Sequence, residues 1–276
     1  MTELSALWRD EGKKIALVPT MGSFHAGHLA LMGHAKQLSD KVVVSLFVNP
    51  IQFGPGEDFA AYPRDLQNDT HLAESVGVDV LYAPSAEEMY PPGFQTSIRV
   101  AELGDGLCGA SRPGHFDGVC TVVMKLFQQT MPHLAIFGEK DFQQLAVIRR
   151  MARDLDLSVA IIAHPTVREE SGLAMSSRNR YLKEEEMEQA LSLYRTICLA
   201  REMVKASAAS LSAADVCSKI VKNIHTTPGC VVDYVAIVDA DSLKSCSTVN
   251  KNSRLIMAVK VNRRVRLIDN AALVEL

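Results

Sequence analysis

The sequence predicts a doubly wound, parallel-sheet (Rossmann-like) α/β domain followed by a smaller α+β domain. Three observations lead there. Short apolar runs rich in β-branched residues recur between residues 15 and 165. Segments of helical period alternate with them, which is the pattern of a parallel sheet covered on both faces. After Tyr181 the texture changes to long charged helices and then to partly alternating strands.

"KKIALVPT" (13–20) opens the sheet, since a continuous apolar run suits a strand buried on both faces. "HLALMGHAKQLSD" (28–40) sets Leu29, Met32, Ala35 and Leu38 on one helical face. "KVVVSLFVNP" (41–50) is the second strand and ends at Asn-Pro. "PRDLQNDTHLAESVG" (63–77) reads as a helix with Pro63 at its first position and a glycine at its end. "VDVLYAP" (78–84) is the third strand. Residues 85–118 are rich in Gly and Pro and read as loops over the sheet. Alternation then resumes with a helix at 119–131, a strand at 133–138, a helix at 141–155 and a strand at 158–165. Residues 168–182 read as a loop or boundary. Beyond it come one long helix (183–207), a second helix with Ser212 as its N-cap, and strands at 231–240 and 254–262. The expected domains are 1–176 and 177–276.

The formal charge of -3 argues against a polyanionic partner such as tRNA or DNA. No apolar run approaches the roughly 18 residues that span a bilayer, so no membrane partner is expected. The N-terminal segment mixes acids with its apolar residues and does not read as a signal peptide. Cysteines 108, 120, 198, 217, 230 and 246 are scattered without C-x-x-C, and the expectation is reduced packing residues in a cytoplasmic protein.

"PTMGSFHAGH" (19–28) is the stretch with the most chemistry. It lies where a strand passes to a helix, at the carboxyl edge of the sheet where ligands bind. The helix start offers N–H groups and a positive partial charge to an anion. Gly22 and Gly27 would let backbone approach a phosphate, and His25 and His28 could donate to its oxygens as charge builds in a transition state. Two other readings stay open: a metal pair, for which no third ligand has convincing spacing, and a core histidine. "GEKD" (138–141) follows a strand at the same edge. Lys140 suits a phosphate, and Asp141 suits a ribose hydroxyl or Mg²⁺-bound water. Gln144, four residues after Lys140, would face the same cavity, and Gln52 offers a neutral donor and acceptor. "MSSR" (175–178) is polar, hydroxyl-bearing and cationic, either a loop that closes over a polyphosphate or a solvated linker.

"HAGH" resembles the H-x-G-H signature of the nucleotidyltransferase superfamily. "ALVPTMGSFHAGH", "VSLFVNPIQF", "YPRDLQND", "RPGHFDGV", "FGEKDFQQL", "GLAMSSRNRYL" and "RLIDN", in that order from 16 to 270, resemble the pantothenate synthetase (pantoate–β-alanine ligase) family. The resemblance implies ATP-driven condensation of pantoate with β-alanine through pantoyl adenylate, releasing AMP and pyrophosphate. It implies Mg²⁺ with the ATP, a cytoplasmic homodimer, and a C-terminal domain acting as a lid. It implies His25, His28, Lys140 and Arg178 as catalytic residues. The implied ATP contacts are Met21, Gly22, Ser23, Phe24, His25, Ala26, Gly27 and His28; Gly138, Glu139, Lys140 and Asp141; and Val167, Met175, Ser176, Ser177 and Arg178. Pro19, Asn49, Gln52 and Gln144 fall to pantoate and β-alanine, and Arg112 and His115 to the mouth of that site. No residue is assigned as a direct metal ligand. The chain departs from the family pattern at Cys108, where Glu is common, at Gln128, where Asn is, at His133, where Asp is, and in lacking a glycine before "RLIDN". The Cys108 departure leaves the role of that loop's usual acid in doubt. The rival readings are another small nucleotidyltransferase, which would want a cationic acceptor pocket in place of the two glutamines, and a non-catalytic nucleotide-binding protein. A tRNA synthetase is disfavoured by the short remainder after the site and the acidic balance.

Overall fold

The computed structural model describes residues 1–207 and 210–274. The chain divides into two compact units, Met1–Thr166 and Val167–Leu276.

The first unit is built on five strands: β1 (Ile15–Thr20), β2 (Lys41–Leu46), β3 (Val80–Tyr82), β4 (Leu134–Gly138) and β5 (Ala160–His164). All neighbours are parallel, in the order β3-β2-β1-β4-β5. The central strands are buried on both faces, as their unbroken apolar runs require. Strand order reverses between β1 and β4, and the crevice at their carboxyl ends is the ligand position of such a sheet. The helices are α1 (Thr2–Asp10), α2 (Ala26–Leu38), α3 (Leu66–Ser75), the short α4 (Ala86–Met89) and α5 (Cys108–Ser111), α6 (His115–Thr130) and α7 (Phe142–Asp154). Met32 and Ala35 of α2 pack on Ala16, Val18, Val42 and Val44, so the 3.6-residue period of one element meets the two-residue period of the others.

The second unit holds α8 (Glu184–Ala190), α9 (Ser192–Ala206), α10 (Ala213–His225), β6 (Cys230–Asp239), β7 (Ser253–Val261) and β8 (Val265–Ala272). Its sheet is antiparallel, ordered β6-β7-β8, and Leu255, Met257 and Val259 pack with Ile197, Val216 and Ile220.

Several boundaries differ from the sequence reading. Residues 2–10 form a helix, and α6 begins at His115. α3 starts at Leu66 because Asp65 caps it by accepting the Asn68 N–H at 3.0 Å, so Pro63 lies outside the helix. The expected helix over 183–207 is two, α8 and α9, interrupted at Leu191, where the neighbouring Gln189 carbonyl accepts the Cys230 thiol at 3.5 Å. β8 is a strand beyond those expected from the sequence, and its buried residues alternate from Val265 to Asp269. The unit boundary falls ten residues earlier than the expected one, because residues 167–175 fold back on themselves. The Met175 N–H donates to the Val167 carbonyl at 3.0 Å, and Leu173 enters the second core. Ser212 does cap α10, accepting the Asp215 N–H at 3.3 Å. All six cysteines are free thiols, and burial pushes the Cys120 thiol up to about 12. Among the described residues no helix is long and apolar enough to cross a membrane.

Candidate active site

The turn from β1 to α2 runs through two left-handed residues, of which only the first is a glycine. Gly22 has φ +83° and Ser23 φ +55°. Both N–H groups that follow are held from outside: Ser23 and Phe24 donate to the two carboxylate oxygens of Asp69 on α3, each at 2.7 Å. Both N–H groups lie before the first turn of α2, where the sequence reading expected open donors. A Cβ on Gly22 would lie 2.9 Å from Asp69 Oδ2 and 3.2 Å from Leu46, so the space beside that glycine holds protein atoms.

α2 is capped by an imidazole. His25 is the N-cap and its Nδ1 accepts the Gly27 N–H at 3.1 Å. To accept, Nδ1 must carry no proton, which places the ring proton on Nε2. The His25 and His28 rings lie 4.1 Å apart at 34°, and the Phe24 ring is 5.5 Å from His28. Burial, then the proximity of His25 and Lys140, hold the His28 pKa well below the ordinary 6.5, so this ring is neutral at neutral pH. Its Nδ1 is buried with no hydrogen-bond partner.

Lys140 lies in the 3₁₀ turn Glu139–Asp141 that follows β4, with its ammonium 3.6 Å from the Asp141 carboxylate. The turn ends before α7 begins, so Lys140 and Gln144 do not share one helix as their spacing implied. Gln144 is half-buried, and its side-chain amide has no hydrogen-bond partner among the described residues. Its neighbour Gln143, which the sequence reading passed over, is fully engaged. It accepts the Cys108 N–H at 3.0 Å and donates to the Leu103 and Gly106 carbonyls at 2.9 and 2.8 Å. An amide from α7 thus organises the loop in which the chain departs from the family pattern, and Cys108 contributes a buried side chain and a backbone donor. His133, the other notable departure, brackets β1: its Nδ1 accepts the Ile15 N–H at 3.0 Å and its backbone N–H donates to the Ile15 carbonyl at 2.8 Å.

After β2, Asn49 and the 3₁₀ turn Pro50–Gln52 form a buried polar cluster. Asn49 Nδ2 donates to Gln52 Oε1 at 3.0 Å and to the Gly118 carbonyl at 3.1 Å, while its Oδ1 accepts the Tyr90 hydroxyl at 2.8 Å. Gln52 Nε2 lies 3.0 Å from Met21 Sδ, which joins this cluster to the histidine turn. Arg112 and His115 hold the cluster from behind. Arg112 forks onto Glu57 at 2.6 Å through both Nε and Nη2, and also donates to the Gln52 carbonyl at 3.2 Å. His115 Nδ1 is 2.9 Å from that same carbonyl and its Nε2 is 3.0 Å from Arg112 Nη1. The two contacts fit one neutral tautomer, with the proton on Nδ1. Burial and the Arg112 charge lower His115 to about 4. Burial alone would raise the Glu57 carboxyl, but the Arg112 fork outweighs it and holds it below the usual range. Pro19 is half-buried in β1.

The second unit carries the other predicted residues. The Ser176 Oγ accepts the Arg178 N–H at 3.3 Å and caps the 3₁₀ turn Ser177–Tyr181, with Ser177 buried. Asn179 Nδ2 donates to Glu169 Oε1 and to the Ala174 carbonyl at 3.1 and 3.2 Å. Arg168 forks onto buried Asp269 at 2.7 and 2.9 Å, donates to the Gly172 carbonyl at 3.0 Å, and stacks over Tyr194 at 4.9 Å. Gly172, at φ +95°, is obligatory, because a Cβ would fall 2.0 Å from the Tyr194 ring. Residues 167–179 are therefore an internally bonded piece of structure and no open linker.

Among the described residues no group of three or more His, Cys, Asp or Glu is placed to hold a metal ion. Paired neutral imidazoles, a lysine and buried amides at the switch point of a parallel sheet define an α/β enzyme of the nucleotide-activating kind. The family model of pantoate–β-alanine ligase matches residues 1–272, and the chain belongs to that family. It is 53% identical over 97% of its length, and 94% of the relative's, to pantothenate synthetase of Oleidesulfovibrio alaskensis. It is 52% identical over 98% of its length, and 95% of the relative's, to that of Heliobacterium modesticaldum. The crystal structure of pantothenate synthetase from Thermus thermophilus superposes with a TM-score of 0.92 at 45% identity, covering 98% of each chain. That of the Francisella tularensis pantoate–β-alanine ligase, complexed with β,γ-ATP and β-alanine, superposes with a TM-score of 0.80 at 35% identity, covering 98% and 95%.

Proposed function

We propose that this ligase condenses pantoate with β-alanine through pantoyl adenylate, with His25, His28 and Lys140 acting on the α-phosphate and Gln52 and Asn49 on pantoate. A pantoate carboxylate oxygen attacks the α-phosphorus; the new P–O bond forms as the bond to pyrophosphate breaks. The β-alanine amine then attacks the acyl carbon, the C–N bond replaces the C–O bond to AMP, and the amine proton leaves. The observation that carries this reading is the stacked His25–His28 pair, in which His28 is kept neutral near Lys140. A neutral imidazole donates a hydrogen bond to a phosphoryl oxygen without pairing, as an imidazolium would, with the attacking carboxylate. The fixed charge is left to Lys140, and donors aimed at charge that develops in the transition state contribute most. The amide of Gln52 suits a hydroxylated acid whose carboxylate must stay free.

Residues 175–178, with Val167, are assigned to ATP and the leaving pyrophosphate on the strength of the family resemblance, as is the lid role of the unit that carries them. Gly138, Glu139 and Asp141 accompany Lys140 in the nucleotide contacts, and Gln144, with its unused amide, accompanies Gln52. Mg²⁺ enters as the substrate MgATP. With no acidic cluster to cage it among the described residues, a cation held chiefly by phosphates and water fits the residues present, and Asp141 offers a carboxylate 3.6 Å from Lys140. A homodimer working in the cytoplasm belongs to the same reading.

Exchange of labelled pyrophosphate into ATP tests it. Mg²⁺ and pantoate alone should support exchange, and omitting pantoate should abolish it. Exchange that waits for β-alanine would rule out a free-standing adenylate, and exchange without pantoate would mean that the enzyme itself is adenylylated.

A further inference from the structure

Asp69 is a fully buried carboxylate that the proposed chemistry does not use. No cation pairs with it among the described residues. Its oxygens accept two backbone donors, Ser23 N–H and Phe24 N–H, both at 2.7 Å. It reaches them from another helix, 46 and 45 residues away in sequence. Charge-assisted bonds of this length are strong, and they are what makes a buried carboxylate tolerable.

The turn it grips is poorly specified by its own sequence. Ser23 sits at φ +55°, in the left-handed region that serine seldom occupies. The helix after it starts on an imidazole, without the usual Ser, Thr, Asp or Asn. The two Asp69 bonds fix the peptide planes on either side of Ser23. His25 follows immediately, already committed to capping α2, and His28 lies stacked on it. On the other side of the turn Met21 meets Gln52. We infer that Asp69 is a positioning residue for adenylation: it holds the 21–25 turn in the one conformation that sets His25 and His28 against the α-phosphate. A neutral isostere cannot do this, because an asparagine offers one acceptor oxygen and turns an NH₂ towards the second N–H. Metal ligation is a different role, and the geometry opposes it, since each oxygen already accepts a backbone N–H and the side chain is sealed from solvent.

This inference rests on the reading of His28 as a group that acts in adenylation, and the test separates the two. Asp69→Asn, His28→Ala and the double variant are compared by pantoate-dependent pyrophosphate–ATP exchange, by kcat and KM for ATP, and by melting. His28→Ala alone should lose about 10²- to 10³-fold in rate; a wild-type rate there overturns the reading of His28. Given that loss, Asp69→Asn should melt cooperatively, lower kcat at least about tenfold and leave the KM for ATP within about threefold. In the His28→Ala background it should cost little more, because its effect passes through the histidines. Full additivity, or an Asp69→Asn enzyme with wild-type kcat, overturns the positioning role. A raised Mg²⁺ requirement in Asp69→Asn would point to metal ligation and also overturn it. Should Asp69→Asn not fold, Gly22→Ala asks the same question, because its Cβ would press to 2.9 Å on Asp69 Oδ2. It too should lower kcat and be non-additive with His28→Ala, and either a wild-type rate or additivity would refute the proposal.

Discussion

Gly118→Ala tests the assignment of Gln52 to pantoate while leaving the Gln52 side chain intact. Gly118 lies in α6 with its back against the turn that carries the glutamine. A Cβ built there would sit 2.6 Å from the Ile51 carbonyl oxygen, 2.7 Å from Gln52 Cα and 2.8 Å from Gln52 N. All three are backbone atoms, so no side-chain rotation relieves the clash. Ordinary contact begins at 3.4 Å, so the turn and α6 must part by about 0.8 Å. Overpacking of this kind costs roughly 1–3 kcal/mol, which for a chain of this size lowers the melting temperature by about 2–4 °C per kcal/mol. The same shift moves the Gln52 amide relative to the histidine turn. A misplacement near 1 Å costs up to about 100-fold in rate, so kcat/KM for pantoate should fall between about ten- and a hundredfold. The KM for ATP should change less than about threefold, since His25, His28 and Lys140 stand on other elements. Steady-state kinetics with each substrate varied, beside a thermal melt, decides the matter. A lowered melting point with unchanged pantoate kinetics would show that the position of Gln52 is irrelevant to pantoate. Equal damage towards ATP would show that the turn does not serve pantoate selectively.

Two further outcomes follow from the electrostatics. His115 is held at about 4 against an ordinary 6.5, so between those values the unfolded chain binds the proton that the folded one refuses, and stability falls as pH drops from about 6.5 to about 4. His115→Gln, which can still donate to the Gln52 carbonyl, should flatten that slope in urea denaturation midpoints taken across the range; an equally steep acid loss in the variant would mean that His115 is not the group involved. In the second unit, Asp269→Ala leaves Arg168 without its buried counter-charge and should destabilise by about 3–5 kcal/mol in denaturant. A cost below about 1 kcal/mol would mean that the pair is solvated, as exposed pairs are.

What could be read from the sequence was whatever is encoded locally. The parallel sheet showed because β1, β2 and β4 are buried on both faces and so are apolar throughout. The histidine turn showed because a strand, a glycine and two imidazoles stand within ten residues. The Ser212 cap showed because capping acts over three residues. The partners of those local features did not show. Asp69 lies in the quoted stretch "YPRDLQND", yet nothing at that spacing separates it from a solvated helical acid. Gln143 and Gln144 are adjacent, and only the rotation of α7 decides which one is spent on the Cys108 loop. Arg112 and His115 read as groups at a substrate mouth, whereas they grip the Gln52 carbonyl, because a 3₁₀ turn leaves carbonyls without intrahelical partners. Beside the break at Leu191 the Gln189 carbonyl meets a thiol on β6, a contact that no pattern within 183–207 records.

The histidines around this site share a property that reaches past any single contact. His25 accepts a backbone N–H, His115 stands between a guanidinium and a carbonyl, and His28 is buried beside Lys140. Three unrelated devices thus favour the same uncharged form. A reaction that turns a carboxylate into a nucleophile towards a triphosphate has reason to want this. An imidazolium beside the attacking oxygen would pair with it and lower its nucleophilicity, and a free basic imidazole would compete for protons near neutrality. A neutral ring of lowered basicity keeps the capacity to donate and loses both liabilities. In the proposed reaction positive charge is then left to Lys140, at the end of the adjacent strand, whose assigned role is to attract phosphate oxygens. On this argument the depressed basicity of His28 is part of how the turn works. A substitution that restored its basicity while keeping the ring, such as opening its pocket to water at Phe24, would weaken adenylation first at acidic pH.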